Sequence, residues 1–144
     1  MLVTALHYSQ TRTPPMPKIS DDTGMYYFLK RDGVPYGVYG ILFIKNRVEY
    51  LICRTGWSPC FVPSKFFEIT EPTLPKEFQI CNPMYDSDYY HLYEHCEITC
   101  LIGYHELTCS IKHYYGINEY EEQDHRLFFR VKNRIDLELY SRII

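Results

Sequence analysis

All nine prolines of this 144-residue chain lie at or before Pro83, and that asymmetry is the first constraint on its fold. Proline has no amide hydrogen and clashes with the preceding helical turn, so it interrupts helices and central strands. The first part of the chain is therefore restricted to short elements and loops, while the rest can hold long helices.

Within the proline-bearing part, apolar runs alternate with turn signals. Met25–Arg31 is aromatic and precedes Asp32-Gly33, a tight-turn pair. Tyr36–Lys45 carries Val38, Tyr39, Ile41, Leu42, Phe43 and Ile44, and Val48–Arg54 follows the polar break at Asn46-Arg47. Three runs joined by short turns predict an antiparallel meander. Phe61–Val62 and Phe66–Ile69, punctuated by Pro59 and Pro63, are shorter strand candidates. Gly37 and Gly40 inside the second run point to a bulge or a close backbone approach. Upstream, Thr11–Pro17 reads TRTPPMP, so residues 1–23 are expected to form a flexible arm, leaving residues 24–144 as one globular α+β domain.

Beyond Pro83, Asn118-Glu119-Tyr120-Glu121 has the form of a capping box. Leu127, Phe128, Val131 and Ile135 then recur at helical spacing. Ile135, Leu137 and Leu139 alternate with Asp136 and Glu138, which is a strand period. The C-terminus thus reads either as one long helix or as a helix ending near Asn133 with a closing strand. The expected fold class is α+β, with an N-terminal antiparallel β-meander packed against one or more C-terminal helices.

The six cysteines read as reduced thiols, because a chain of this length builds a core without disulfide staples. No run of 18 or more apolar residues occurs, and the first residues lack a basic leader ahead of an apolar segment. The expectation is a cytoplasmic protein with no membrane partner.

Charge is strongly segregated. Residues 1–81 carry a net charge of +2, residues 82–124 carry −8, and residues 125–144 carry +3. The middle segment has nine carboxylates against one basic residue, Lys112, and it holds eight of the 15 tyrosines. Direct nucleic-acid binding is not expected, since it needs a contiguous basic surface. Carboxylates interleaved with tyrosines suit a basic protein partner instead: the field steers encounter and the rings anchor the complex. Asp86, Asp88, Tyr89, Tyr90, Tyr93 and Glu94 are the candidate partner-binding residues. In the alternative, the acidic residues are a solvated face over a tyrosine-containing core.

The same segment holds His91, His95, Cys96, Cys100, His105, Cys109 and His113, side-chain types that bind zinc. His91-Leu92-Tyr93-Glu94-His95 matches H-x-x-E-H and so resembles the inverted zinc metalloproteases. The resemblance implies His91 and His95 as ligands and Glu94 as general base. It covers five residues only, and no third ligand is placed as in that family. A zinc site built from His91, His95, Cys96 and Cys100, in a zinc-stabilised protein or a small hydrolase, is the alternative reading. Cys60, near Trp57 and next to the turn at Pro59, is either a nucleophile or, as is commoner for a lone cysteine, a packing residue. No catalytic residue or cofactor is assigned.

The expected function is a non-enzymatic binding module. In surface chemistry it resembles the colicin nuclease immunity proteins, which place acidic residues around paired tyrosines. Those proteins are all-helical and shorter, so the resemblance carries no residue correspondence. It implies an immunity-type inhibitor covering the basic active site of a toxin such as a nuclease. A phage or viral accessory protein that binds a host factor would use the same logic.

Overall fold

The computed structural model describes residues 1–6 and 29–143. The protein is α+β, with antiparallel sheets mostly in the first half and helices towards the C-terminus. The strands are β1 (Leu2–Ala5), β2 (Tyr36–Gly37), β3 (Gly40–Ile44), β4 (Arg47–Ile52), β5 (Cys60–Pro63), β6 (Phe67–Glu71), β7 (Gln79–Cys81) and β8 (Ile98–Gly103). The helices are α1 (Tyr90–Cys96), α2 (His105–Cys109), α3 (Ile111–Asn118) and α4 (Glu122–Ser141).

One sheet has the order β2-β1-β6 and the other β5-β4-β3-β8-β7. The larger sheet is buried on both faces. Ile41, Tyr50, Ile52 and Val62 point to the small sheet, where they meet Val3, Phe66 and Phe67. Leu42, Leu51 and Leu101 point the other way, to Leu107, Phe128, Val131 and Ile135 of the helices. Side chains alternate along a strand, so a strand covered on both sides must be apolar throughout, as the run Ile41–Ile44 is.

Two glycines let the helical layer approach. Gly40 of β3 faces Gly103 of β8 across the ladder, and a Cβ on either would lie 2.7 Å from Leu107 Cδ2. Leu107 of α2 fills the window that the missing side chains leave. What approaches Gly40 most closely is thus the Leu107 side chain rather than the backbone expected from the sequence.

Several expectations are corrected. Residues 2–5, expected in the arm, form β1 between β2 and β6, with Val3 fully buried. Its short apolar sequence completes a sheet whose other strands lie far along the chain. The rest of the expected arm and the start of the Met25–Arg31 run fall in 7–28, outside the described residues, and 29–31 are not strand. The 36–45 run splits: β2 pairs with β1, whereas β3 pairs with β4 and β8.

The C-terminal segment is helix, not strand. Leu139 is buried while Leu137 is 78% exposed, so the two do not share a face as strand neighbours would. Asn118 does not start this helix but ends α3, where its Nδ2 donates to Tyr114 O at 2.8 Å. Tyr120 takes a left-handed conformation, φ 62°. Glu121 N then donates to Gly116 O at 2.9 Å, the six-to-one closure of a Schellman-type cap. All six cysteines are free thiols.

Candidate functional site

The acidic segment forms α1, β8, α2, α3 and the turn into α4. Asp86 organises its entry: its Oδ1 accepts from Asp88 N at 3.0 Å and its carbonyl from Tyr89 N at 3.1 Å. This turn starts α1 and leaves Asp88 exposed. Tyr90 and Glu94, one turn apart on α1, are exposed, and Tyr93 is half-buried with its ring centroid 5.9 Å from that of Tyr90.

Tyr89 does not belong to this surface. It is buried, and its hydroxyl donates to Leu107 O at 2.7 Å. Tyr104 and Tyr114 are also core residues. A tyrosine ring with a partner for its hydroxyl suits the interior as well as the surface, and here three of the eight are inside.

The structure adds residues that the sequence reading did not single out. His91 stacks on Tyr115 of α3, with ring centroids 5.7 Å apart and planes 18° apart, and its Nε2 hydrogen-bonds the Tyr115 hydroxyl. This contact joins α1 to an open cleft of about 660 Å³ between α3 and the start of α4. Tyr115, Glu119, Glu121, Glu122 and Asp124 line the cleft, with Lys112 as its one basic residue. Tyr120 stands beside it, 65% exposed. The sequence signal for these residues was the segment's charge and tyrosine content; their assembly with α1 depends on the His91–Tyr115 contact.

Beneath the cleft, Asp124 Oδ1 lies 2.7 Å from His113 Nδ1, and His113 Nε2 lies 2.8 Å from the Tyr104 hydroxyl. A neutral imidazole with its proton on Nδ1 satisfies both contacts: it donates to Asp124 and accepts from Tyr104. Burial, with Glu106 and Asp124 nearby, pushes the Tyr104 phenol well above its usual range. Tyr104 is fully buried and His113 nearly so. This chain of hydrogen bonds therefore ties α4 to α3 and to the junction of β8 with α2, with the Asp124 carboxylate at its cleft end.

The zinc ligands do not come together. His91 is engaged by Tyr115, His95 Nε2 lies 3.7 Å from Glu94 Oε2, and Cys100 lies on β8, beyond the end of α1. Among the described residues, no three His, Cys, Asp or Glu side chains are grouped to hold a metal ion. Burial pushes the Cys60 thiol up to about 11, which disfavours the thiolate a nucleophile needs. No helix among the described residues is long and apolar enough to cross a membrane. In comparisons with known proteins, no family model, no curated protein and no solved structure matches the chain.

Proposed function

We propose that the protein is a binding module for a basic protein partner, most concretely an immunity-type inhibitor that covers the cationic active site of a toxin. The observation that carries the reading is the joining of two acidic, tyrosine-bearing stretches into one surface through His91 and Tyr115. Asp88, Tyr90, Tyr93 and Glu94 lie on one side of that contact and Tyr115, Glu119, Tyr120 and Glu121 on the other. Rigid aromatic rings among carboxylates are the composition of a steered, anchored interface.

Helix ends fix the backbone around this surface. Among the described residues, the non-glycine residues with positive φ are Glu97 and Tyr120, and both lie in this segment. A left-handed tyrosine costs roughly 1–2 kcal/mol relative to the right-handed form, a penalty glycine would avoid. Both positions end helices, Glu97 at the C-cap of α1 and Tyr120 in the Schellman-type closure of α3, so the left-handed turn is what sets Tyr120 at the rim of the cleft.

The test is surface plasmon resonance against basic candidate partners, first the product of the adjacent gene. The association rate should fall steeply with salt, and Asp88→Ala, Tyr90→Ala and Tyr115→Ala should each weaken binding without unfolding the domain. Tyr120→Gly should also weaken binding while leaving the fold no less stable. An affinity that ignores both salt and these substitutions would remove the basis for the proposal.

A further inference from the structure

His105 and Cys109, at the two ends of α2, belong to the histidine- and cysteine-rich segment but not to the ligand set read from the sequence. They stand at i and i+4, so they share one face of the helix. Gln79, the first residue of the edge strand β7, joins them. It pairs with Gly103 of β8, and β8 leads through Tyr104 straight into α2, so the end of the edge strand stands beside the helix. Gln79 Oε1 lies 3.2 Å from His105 Nδ1 and 3.5 Å from Cys109 Sγ. All three residues are exposed. Leu107, between the two on α2, is fully buried against Gly40 and Gly103 and anchors the helix.

A nitrogen, an oxygen and a sulfur atom thus meet at one point. As hydrogen bonds, the contacts have the thiol S–H and the imidazole Nδ1–H both donating to the amide oxygen. The same separations suit a shared metal ion. Zinc bonds of about 2.0–2.1 Å to nitrogen and oxygen and about 2.3 Å to sulfur place tetrahedral neighbours about 3.3 Å (N to O) and about 3.5 Å (O to S) apart. The distances here are 3.2 Å and 3.5 Å. His105 and Cys109 also lie within residues 82–124, which carry a net charge of −8, and such a field draws cations.

We propose that His105 Nδ1, Cys109 Sγ and Gln79 Oε1 form a zinc site, with water completing the coordination on the exposed side. Thiolate and imidazole select zinc over magnesium and calcium, which prefer oxygen ligands. On binding, the thiol releases its proton to solvent, the imidazole carries its proton on Nε2 instead of Nδ1, and zinc bonds form at Sγ, Nδ1 and Oε1. Zinc so held clamps the edge strand β7 to α2. The set is distinct from His91, His95, Cys96 and Cys100, and it does not depend on the acidic surface having a basic partner.

The experiment is isothermal titration of the reduced full chain, carrying no histidine tag, with zinc chloride, and with magnesium chloride as the control. Repeating it in buffers of different ionisation enthalpy counts the protons released. Saturable, stoichiometric zinc binding is expected, with release of about one proton per ion near neutral pH, and no saturable magnesium binding. Cys109→Ser, His105→Ala and Gln79→Ala should each weaken zinc binding about tenfold or more, since loss of a group that merely supports a ligand already costs that much. His91→Gln combined with Cys96→Ser should leave it unchanged. His105, Cys109 and Gln79 are exposed, so their replacements leave the core intact. No saturable zinc binding above the magnesium control, an affinity that any one of the three substitutions leaves intact, or an affinity lost in the His91→Gln/Cys96→Ser variant would overturn the assignment.

Discussion

Gly116→Ala tests the packing that builds the acidic cleft. Asp124 of α4 stands directly over Gly116 of α3. A Cβ at Gly116 would lie 1.9 Å from Asp124 Oδ2, 2.2 Å from its Cγ and 2.7 Å from its Cβ. Because the clash extends to Asp124 Cβ, which the α4 backbone holds in place, rotating the carboxylate alone does not relieve it. Either the helices move apart or Asp124 leaves His113. Overpacking a filled contact costs about 1–3 kcal/mol. Leaving a buried hydrogen-bond partner unpaired costs about the same. These penalties overlap, because moving Asp124 is what relieves the clash. In the other direction, alanine favours a helix interior over glycine by about 1 kcal/mol. The net expectation is a loss of about 1 kcal/mol. With a urea dependence of about 2 kcal/mol per molar, that lowers the unfolding midpoint by about 0.5 M at unchanged slope. Asp124→Ala should then cost less in the Gly116→Ala background than alone, since both act on one contact. A Gly116→Ala midpoint equal to or above that of the parent would refute the reasoning.

Further expectations concern the core and its ionisation. Leu137→Lys should change stability by no more than about 0.5 kcal/mol, whereas Leu139→Lys should cost about 3–5 kcal/mol as an uncompensated buried charge; equal effects in thermal unfolding would favour the strand reading of the C-terminus. Tyr89→Phe should cost about 1 kcal/mol through the lost bond to Leu107 O and leave partner affinity unchanged. Affinity lost at full stability would instead return Tyr89 to the binding face. Burial pushes the Cys53, Cys60 and Cys81 thiols from 9.0 up to about 11. The folded form therefore keeps protons that the unfolded chain releases. Their stabilisation is full below pH 9.0 and declines as the pH rises to about 11. Buried Tyr39 and Tyr104, shifted in the same direction, extend the decline. Denaturation midpoints that rise across this window would contradict the assignment.

How much was legible in the sequence follows from how local each signal is. Proline placement, turn pairs and apolar periodicity act over a few residues, so they determined the α+β class, the strands around Ile41, Leu51 and Phe67, and the inward face of α4 at Phe128, Val131 and Ile135. The charge segregation was likewise a property of sequence alone. The tertiary structure decided what depends on partners distant in the chain. Leu2–Ala5 became a strand because β2 and β6 flank it. The helical period won at Leu137 and Leu139 because the core takes Leu139 and leaves Leu137 outside. The tyrosines divided for the same reason: an amphipathic ring is stable in either place, and Leu107 O covers the hydroxyl of Tyr89 while Tyr120 is left largely exposed. Composition marked the acidic segment, but only the tertiary structure brought His91 of α1 against Tyr115 of α3.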